Sequence, residues 1–151
     1  VEADRHESNG AQWLDASHDG WRKPFGVLHR RRLYLNENGD DLRGEDVLEV
    51  VDPGQQLPGF LIRFHLHPGV TAQLQIDDQA VLLRLPSNAF WRLRAKGARV
   101  SLEESVYLGG GEARRSQQVV LAPEPGESTV QWAIGRVAAD TPPALPDPTK
   151  P

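Results

Sequence analysis

Apolar and polar residues alternate with a period of two along most of this chain, and apolar residues at helical spacing are nearly absent. Successive side chains on a strand point to opposite faces, so the pattern predicts half-buried β-strands. Ala11–Ser17 reads as a first strand, with Trp13 assigned to the core. Ser17–Leu35 then opens as a turn, punctuated by Asp19-Gly20 and Pro24, and becomes a strand at Val27–Leu35. Asn36–Asp41 is a turn signal, and Leu42–Val51 a strand with a bulge expected at Gly44. Asp52–Gly59, with two prolines and two glycines, reads as a loop.

Phe60–His67 has the cleanest alternation: Phe60, Ile62, Phe64 and Leu66 on one face, Leu61, Arg63, His65 and His67 on the other. Val70–Ile76 and Ala80–Leu85 predict a hairpin around Asp77-Asp78-Gln79. Phe90–Ala95, Arg99–Leu108, Ser116–Ala122 and Thr129–Val137 complete the set, separated by Gly- and Pro-containing turns. About ten short strands between turn signals indicate an all-β fold, an antiparallel β-sandwich. From Ala138 onward there are five prolines in fourteen residues and no periodicity. Residues 1–137 are therefore expected to form the domain and 138–151 a disordered Pro-rich tail.

Composition narrows the classes. At 151 residues, 38% hydrophobic and 25% charged, the chain fits one ordinary globular domain. A net charge of −4 argues against a general nucleic-acid binder. No apolar run approaches the roughly 18 residues of a membrane span. The absence of cysteine excludes disulfides and thiolate metal sites. Methionine is absent as well and the chain opens on Val-Glu-Ala-Asp-Arg, so it reads as a processed product or a piece of something longer.

The oddest feature is the basic run in Val27–Leu35. Val27, His29, Arg31, Leu33 and Leu35 share one strand face, and Leu28, Arg30, Arg32 and Tyr34 the other. Guanidinium forks match carboxylate and sulfate geometry, which suggests an anionic partner; the plainer alternative is solvation or pairing with nearby acids. His65 and His67 are two apart, about 6.5–7 Å along a strand, and could chelate a metal if a third ligand arrived from a neighbouring strand. No third ligand can be named, so two hydrogen-bonded histidines are the expectation. His18-Asp19 could be an oriented imidazole or simply a turn. Glu103 and Glu104 are adjacent on a strand, face opposite ways and cannot form a glycosidase pair. No serine has nucleophile-elbow context.

Several stretches together carry a resemblance: Ser-His-Asp-Gly-Trp, Gly-Val-Leu-His-Arg-Arg-Arg-Leu-Tyr-Leu, Asp-Asp-Leu-Arg-Gly-Glu-Asp, Arg-Phe-His-Leu-His-Pro-Gly-Val and Ser-Leu-Glu-Glu-Ser-Val-Tyr-Leu-Gly-Gly-Gly. In this order, from about Trp13 to Val137, the chain resembles the C-terminal β-sandwich domain of the heparinase II/III-like bacterial polysaccharide lyases. The resemblance implies a sandwich lacking its first strands, preceded in the full polypeptide by an N-terminal α/α toroid. Such lyases cleave uronate-containing acidic polysaccharides by β-elimination, which needs a base, an acid and a neutralising group. The family's catalytic groups would lie before Val1, so no catalytic residue is assigned and the fragment alone is expected to be inactive. His29, Arg30, Arg32, Arg63, His65 and His67 are the candidates for a substrate-binding cleft wall. No cofactor or metal is assigned to this chain, with room left for a metal in the full-length protein. The implied compartment is the periplasm or cell envelope, with the cytoplasm as alternative. A non-catalytic carbohydrate- or protein-binding module is the alternative function.

Overall fold

The computed structural model describes residues 1–75 and 79–138. The alternating segments fold into strands β1 (Glu2–Ser8), β2 (Ala11–His18), β3 (Val27–Leu35), β4 (Asp41–Val50), β5 (Ile62–His65) and β6 (Thr71–Gln75). They continue as β7 (Ala80–Arg84), β8 (Phe90–Lys96), β9 (Ala98–Tyr107), β10 (Arg114–Pro123) and β11 (Thr129–Arg136). One helical turn, α1 (Arg22–Phe25), sits between β2 and β3 and ends at Gly26 with φ +70°. The strands form an eight-stranded antiparallel sheet, order β1-β2-β3-β4-β11-β8-β7-β6, and a three-stranded sheet, order β5-β10-β9. The fold is thus the all-β antiparallel sandwich that the alternation implied.

The core lies between the sheets. Val81, Leu83, Leu93, Val130 and Trp132 of the large sheet meet Ile62, Val100, Val119 and Leu121 of the small one. Leu93, Val119 and Leu121 have no exposed surface. The small sheet packs chiefly over β8, β7 and β6, and Leu33 and Leu42 of β3 and β4 border the same core. Farther along β3 and β4, over Val27, His29, Arg31, Asp46 and Leu48, the inner face is met by α1 and the segment leading from Pro58 into β5.

Four local readings change. Trp13 is 39% exposed rather than in the core, because odd positions of β2 share the outer face with Tyr34. β1 is an additional edge strand; its residues Glu-Ala-Asp-Arg-His-Glu-Ser are all exposed, and charges along a free edge discourage pairing with other chains. Gly44 is in unbroken register with Leu33 and Trp132, not in a bulge. Its missing side chain makes room for the Trp132 indole, which a Cβ there would overlap. The strand expected at Phe60–His67 is confined to β5, with Leu66 still donating its N–H to the Gln117 carbonyl (2.9 Å). The 139–151 tail and the centre of the turn at Asp77-Asp78 lie outside the described residues.

Candidate functional site

On the inner face of β3 and β4, alternation brings His29, Arg31 and Asp46 together. Asp46 is 1% exposed. Its Oδ1 accepts hydrogen bonds from His29 Nε2 (2.8 Å) and Arg31 Nε (2.7 Å), and its Oδ2 accepts one from Trp132 Nε1 (2.8 Å). The chain of bonds continues outward. Gly20 N–H donates to His18 Nδ1 (3.2 Å), which leaves the proton of a neutral His18 on Nε2. That Nε2 donates to His29 Nδ1 (3.1 Å), so the His29 proton faces Asp46. Burial, the largest single influence on Asp46, pushes its carboxyl up; the bonds from His29, Arg31 and Trp132 outweigh it and hold the group below the ordinary carboxylate range. Every ring nitrogen of His18 and His29 has a partner, so neither ring offers a lone pair to a substrate proton. The arrangement ties β2, β3, β4 and β11 together rather than performing acid–base chemistry. A half-enclosed pocket of about 400 Å³ opens beside it, walled by Trp21, Phe25, Leu48, Phe60 and Leu61, with Arg31 among its lining.

The outer face of the large sheet is different. Register places His6, Trp13, Tyr34, Arg43, Ala133 and Arg94 in one row across six strands. Trp13 stacks obliquely between His6 (5.6 Å) and Tyr34 (5.2 Å), and the Arg43 guanidinium sits over the Tyr34 ring at 5.8 Å. The neighbouring row carries paired charges. Arg30 grips Asp15 with two bonds (2.7 and 2.5 Å), and Arg32 bridges Asp15 (3.3 Å) and Glu45 (2.8 Å). The Arg30 hydrogen bond is the main cause of a lowered Asp15 carboxyl pKa. The outward residues of β11 are Gln131, which donates to Glu45 (2.9 Å), Ala133 and Gly135; over them lies a trough, part of a depression of about 990 Å³ that extends past β4 to Tyr34 and Trp13. The banks of the trough stand on β4 and β8, two strand spacings or about 10 Å apart. On the β4 bank Asp41 pairs with Arg43, and Glu45 pairs with Arg32 of β3. The β8 bank presents exposed Arg94 and Lys96, neither of which forms an ion pair among the described residues.

The outer face of the small sheet holds the remaining candidates. Arg63 pairs with Glu103 (2.8 Å), and His65 Nδ1 meets the Ser105 hydroxyl (2.9 Å). His67 lies beyond the end of β5, where its Nδ1 accepts the Gly69 N–H (3.0 Å) and its ring stands edge-on to Tyr107 (5.0 Å). The two histidines therefore turn to different partners. Among the described residues no group of three or more His, Cys, Asp or Glu is placed to hold a metal ion.

The six candidates thus occupy three faces: His29 inside, Arg30 and Arg32 on the large outer face, Arg63 and His65 on the small outer face with His67 past its end. Only Arg32 reaches the trough. Asp46, Arg94 and Lys96 were not singled out by the sequence reading. The signal for the last two was present in β8, where Arg92, Arg94 and Lys96 occupy alternate positions.

The protein family described as heparinase II/III-like, C-terminal, matches residues 1–133. FtsZ-localized protein C of Caulobacter vibrioides (strain NA1000 / CB15N) is 41% identical over 146 residues, covering 89% of this chain and 25% of that protein. Among solved structures, heparan sulfate lyase HepC from Pedobacter heparinus superposes with a TM-score of 0.70 at 11% identity, over 95% of this chain and 23% of that one. A heparinase III structure superposes with a TM-score of 0.64 at 15% identity, over 92% of this chain and 22% of that one. At these identities the two structures speak to the fold alone. This chain spans about a quarter of the length of the relatives it matches.

Proposed function

The chain belongs to the heparinase II/III-like, C-terminal family, and on that premise we propose that it is the non-catalytic, glycan-facing sandwich of a longer, polysaccharide-lyase-related polypeptide. The partner within that polypeptide is a preceding α/α toroid, and the ligand is an acidic, uronate-bearing chain. The observation that carries this reading is the trough on the large sheet. A bank-to-bank width of about 10 Å admits a single sugar chain running along β11. Tyr34 and Trp13 offer aromatic surface, and Arg94 and Lys96 offer cations to carboxylates on one side only. Arg32 helps to shape the trough while remaining tied to Asp15 and Glu45. Base, acid and charge neutraliser for β-elimination come, on this reading, from the rest of the polypeptide, which then works in the periplasm or cell envelope.

The test is uronate-polymer cleavage by the full-length polypeptide, followed by absorbance of the unsaturated product, with Arg94→Gln/Lys96→Gln compared against wild type. Exposed ion pairs contribute up to about 1 kcal/mol each, so the double variant should raise KM roughly three- to tenfold while kcat and the melting temperature stay close to wild type. An unchanged KM would remove the trough from the account.

A second reading is favoured by one observation: the 41%-identical relative is named for localisation with FtsZ, not for lyase activity. On this reading the sandwich docks a partner that localises with FtsZ, without chemistry. A fluorescent fusion of the full-length polypeptide that follows FtsZ, coupled with silence on every uronate polymer, would favour it over the first.

A further inference from the structure

The pocket between α1 and Pro58–Ile62 is not used by the glycan reading, and it opens on the opposite face of the sheet from the trough. Its walls are strongly apolar, and several stay unusually exposed: Trp21 48%, Phe25 46% and Leu61 49%. Val50 and Val51, at 42% and 39%, extend the apolar surface beyond the rim. Contiguous exposed aromatic and aliphatic side chains mark interaction sites.

Two arginines line these walls: Arg63, whose Nη1 is bonded to Glu103, and Arg31. The Arg31 Nε is engaged with Asp46, but among the described residues its two Nη atoms form no hydrogen bond. Asp46 does not take them up: its Oδ1 accepts from His29 and from Arg31 Nε, and its Oδ2 from Trp132. A guanidinium with two adjacent Nη groups free matches a planar carboxylate. A doubly charged phosphate is disfavoured: the other nearby arginines are paired, Arg63 with Glu103 and Arg22 with Asp52, and Asp46 adds negative charge beneath.

We propose that this pocket binds a protein segment that inserts an apolar or aromatic side chain between Trp21, Phe25 and Leu61 and presents a neighbouring carboxylate to the Nη fork of Arg31. The apolar rim, wider than the pocket, favours a peptide over a small free acid. Arg31 is held rigid for this task by the bond to Asp46, which the His29 and Trp132 bonds fix in turn.

The test uses this chain labelled with ¹⁵N and three probes: acetyl-Leu-Phe-Asp-Leu-amide, its Asn counterpart acetyl-Leu-Phe-Asn-Leu-amide, and N-acetylphenylalanine. Saturable shifts are expected at the Trp21 indole N–H and the Arg31 Nε–H. The Asp peptide should bind about tenfold more tightly than the Asn peptide, the advantage of one charge-assisted fork at a half-exposed site. Arg31→Gln should abolish that difference. Because Arg31 also supports Asp46, a second variant at the exposed rim, Leu61→Asp, should weaken both peptides while leaving the spectrum folded. Equal binding of the two peptides would overturn the carboxylate claim. Binding of N-acetylphenylalanine as tightly as the Asp peptide would overturn the peptide claim.

Discussion

Asp46→Asn removes one charge and one acceptor from the point where β3, β4 and β11 are tied together. In the wild type three donors converge on two carboxylate oxygens that are 1% exposed. Asparagine keeps one oxygen and replaces the other with an NH₂, so at least one donor then faces a donor. If that donor is Trp132 Nε1, on a side chain 5% exposed, water cannot replace the lost bond. An unsatisfied buried group costs about 1–3 kcal/mol, and breaking a buried ion pair from one side costs about 3–5 kcal/mol. The Arg31 and His29 side chains are 39% and 22% exposed and can recover some solvation. The expected loss is therefore about 2–4 kcal/mol. In urea, with a slope of about 2 kcal/mol per molar, the midpoint should fall by roughly 1–2 M with the slope unchanged. The loss should also depend on pH. The Asp46 pKa is lowered in the folded state, so its contribution is complete above the unfolded value of about 3.9 and disappears as pH falls through the lower folded value. Wild type and variant should then differ by a constant amount near neutrality and converge below about pH 4. A difference under about 0.5 kcal/mol at pH 7, or one that grows on acidification, would refute the reasoning.

Gly44→Ala places a methyl into the Trp132 indole, and overpacking of this kind costs about 1–3 kcal/mol, read as a lowered melting temperature. Leu93→Ala, at a side chain with no exposed surface, should cost about 2–5 kcal/mol in chemical denaturation. Arg30→Gln should leave the urea midpoint near wild type despite its two close bonds to Asp15, because exposed ion pairs contribute little.

The division of β3 into a face with His29 and Arg31 and a face with Arg30 and Arg32 was legible from period-two alternation alone, and the structure keeps it. What alternation cannot carry is the identity of the neighbour. Asp46 reads as one more acid in a charged stretch until β11 brings Trp132, 86 residues away in sequence, against it. For Arg30 and Arg32 the pattern left both an anionic ligand and pairing with nearby acids open, and the register supplies the acids, Asp15 and Glu45, from the adjacent strands. β1 escaped notice because an edge strand exposed on both faces has no apolar rhythm to read. Trp13 was misassigned because a large aromatic residue usually marks a core, whereas here it belongs to a row of rings on the outer face. The trough was hidden for a similar reason: it depends on the small outward residues of β11 lying between β4 and β8, a fact of strand order.

The central claim is that an acidic glycan lies along β11 on the large outer face, and the most direct measurement is titration of a uronate tetrasaccharide into the ¹⁵N-labelled chain. The account predicts saturable shifts at Tyr34, Ala133, Gly135, Arg94 and Lys96, diminished in Arg94→Gln/Lys96→Gln and absent around Trp21 and His29. Shifts confined to the Trp21 pocket, or none up to the highest attainable concentration, would contradict it.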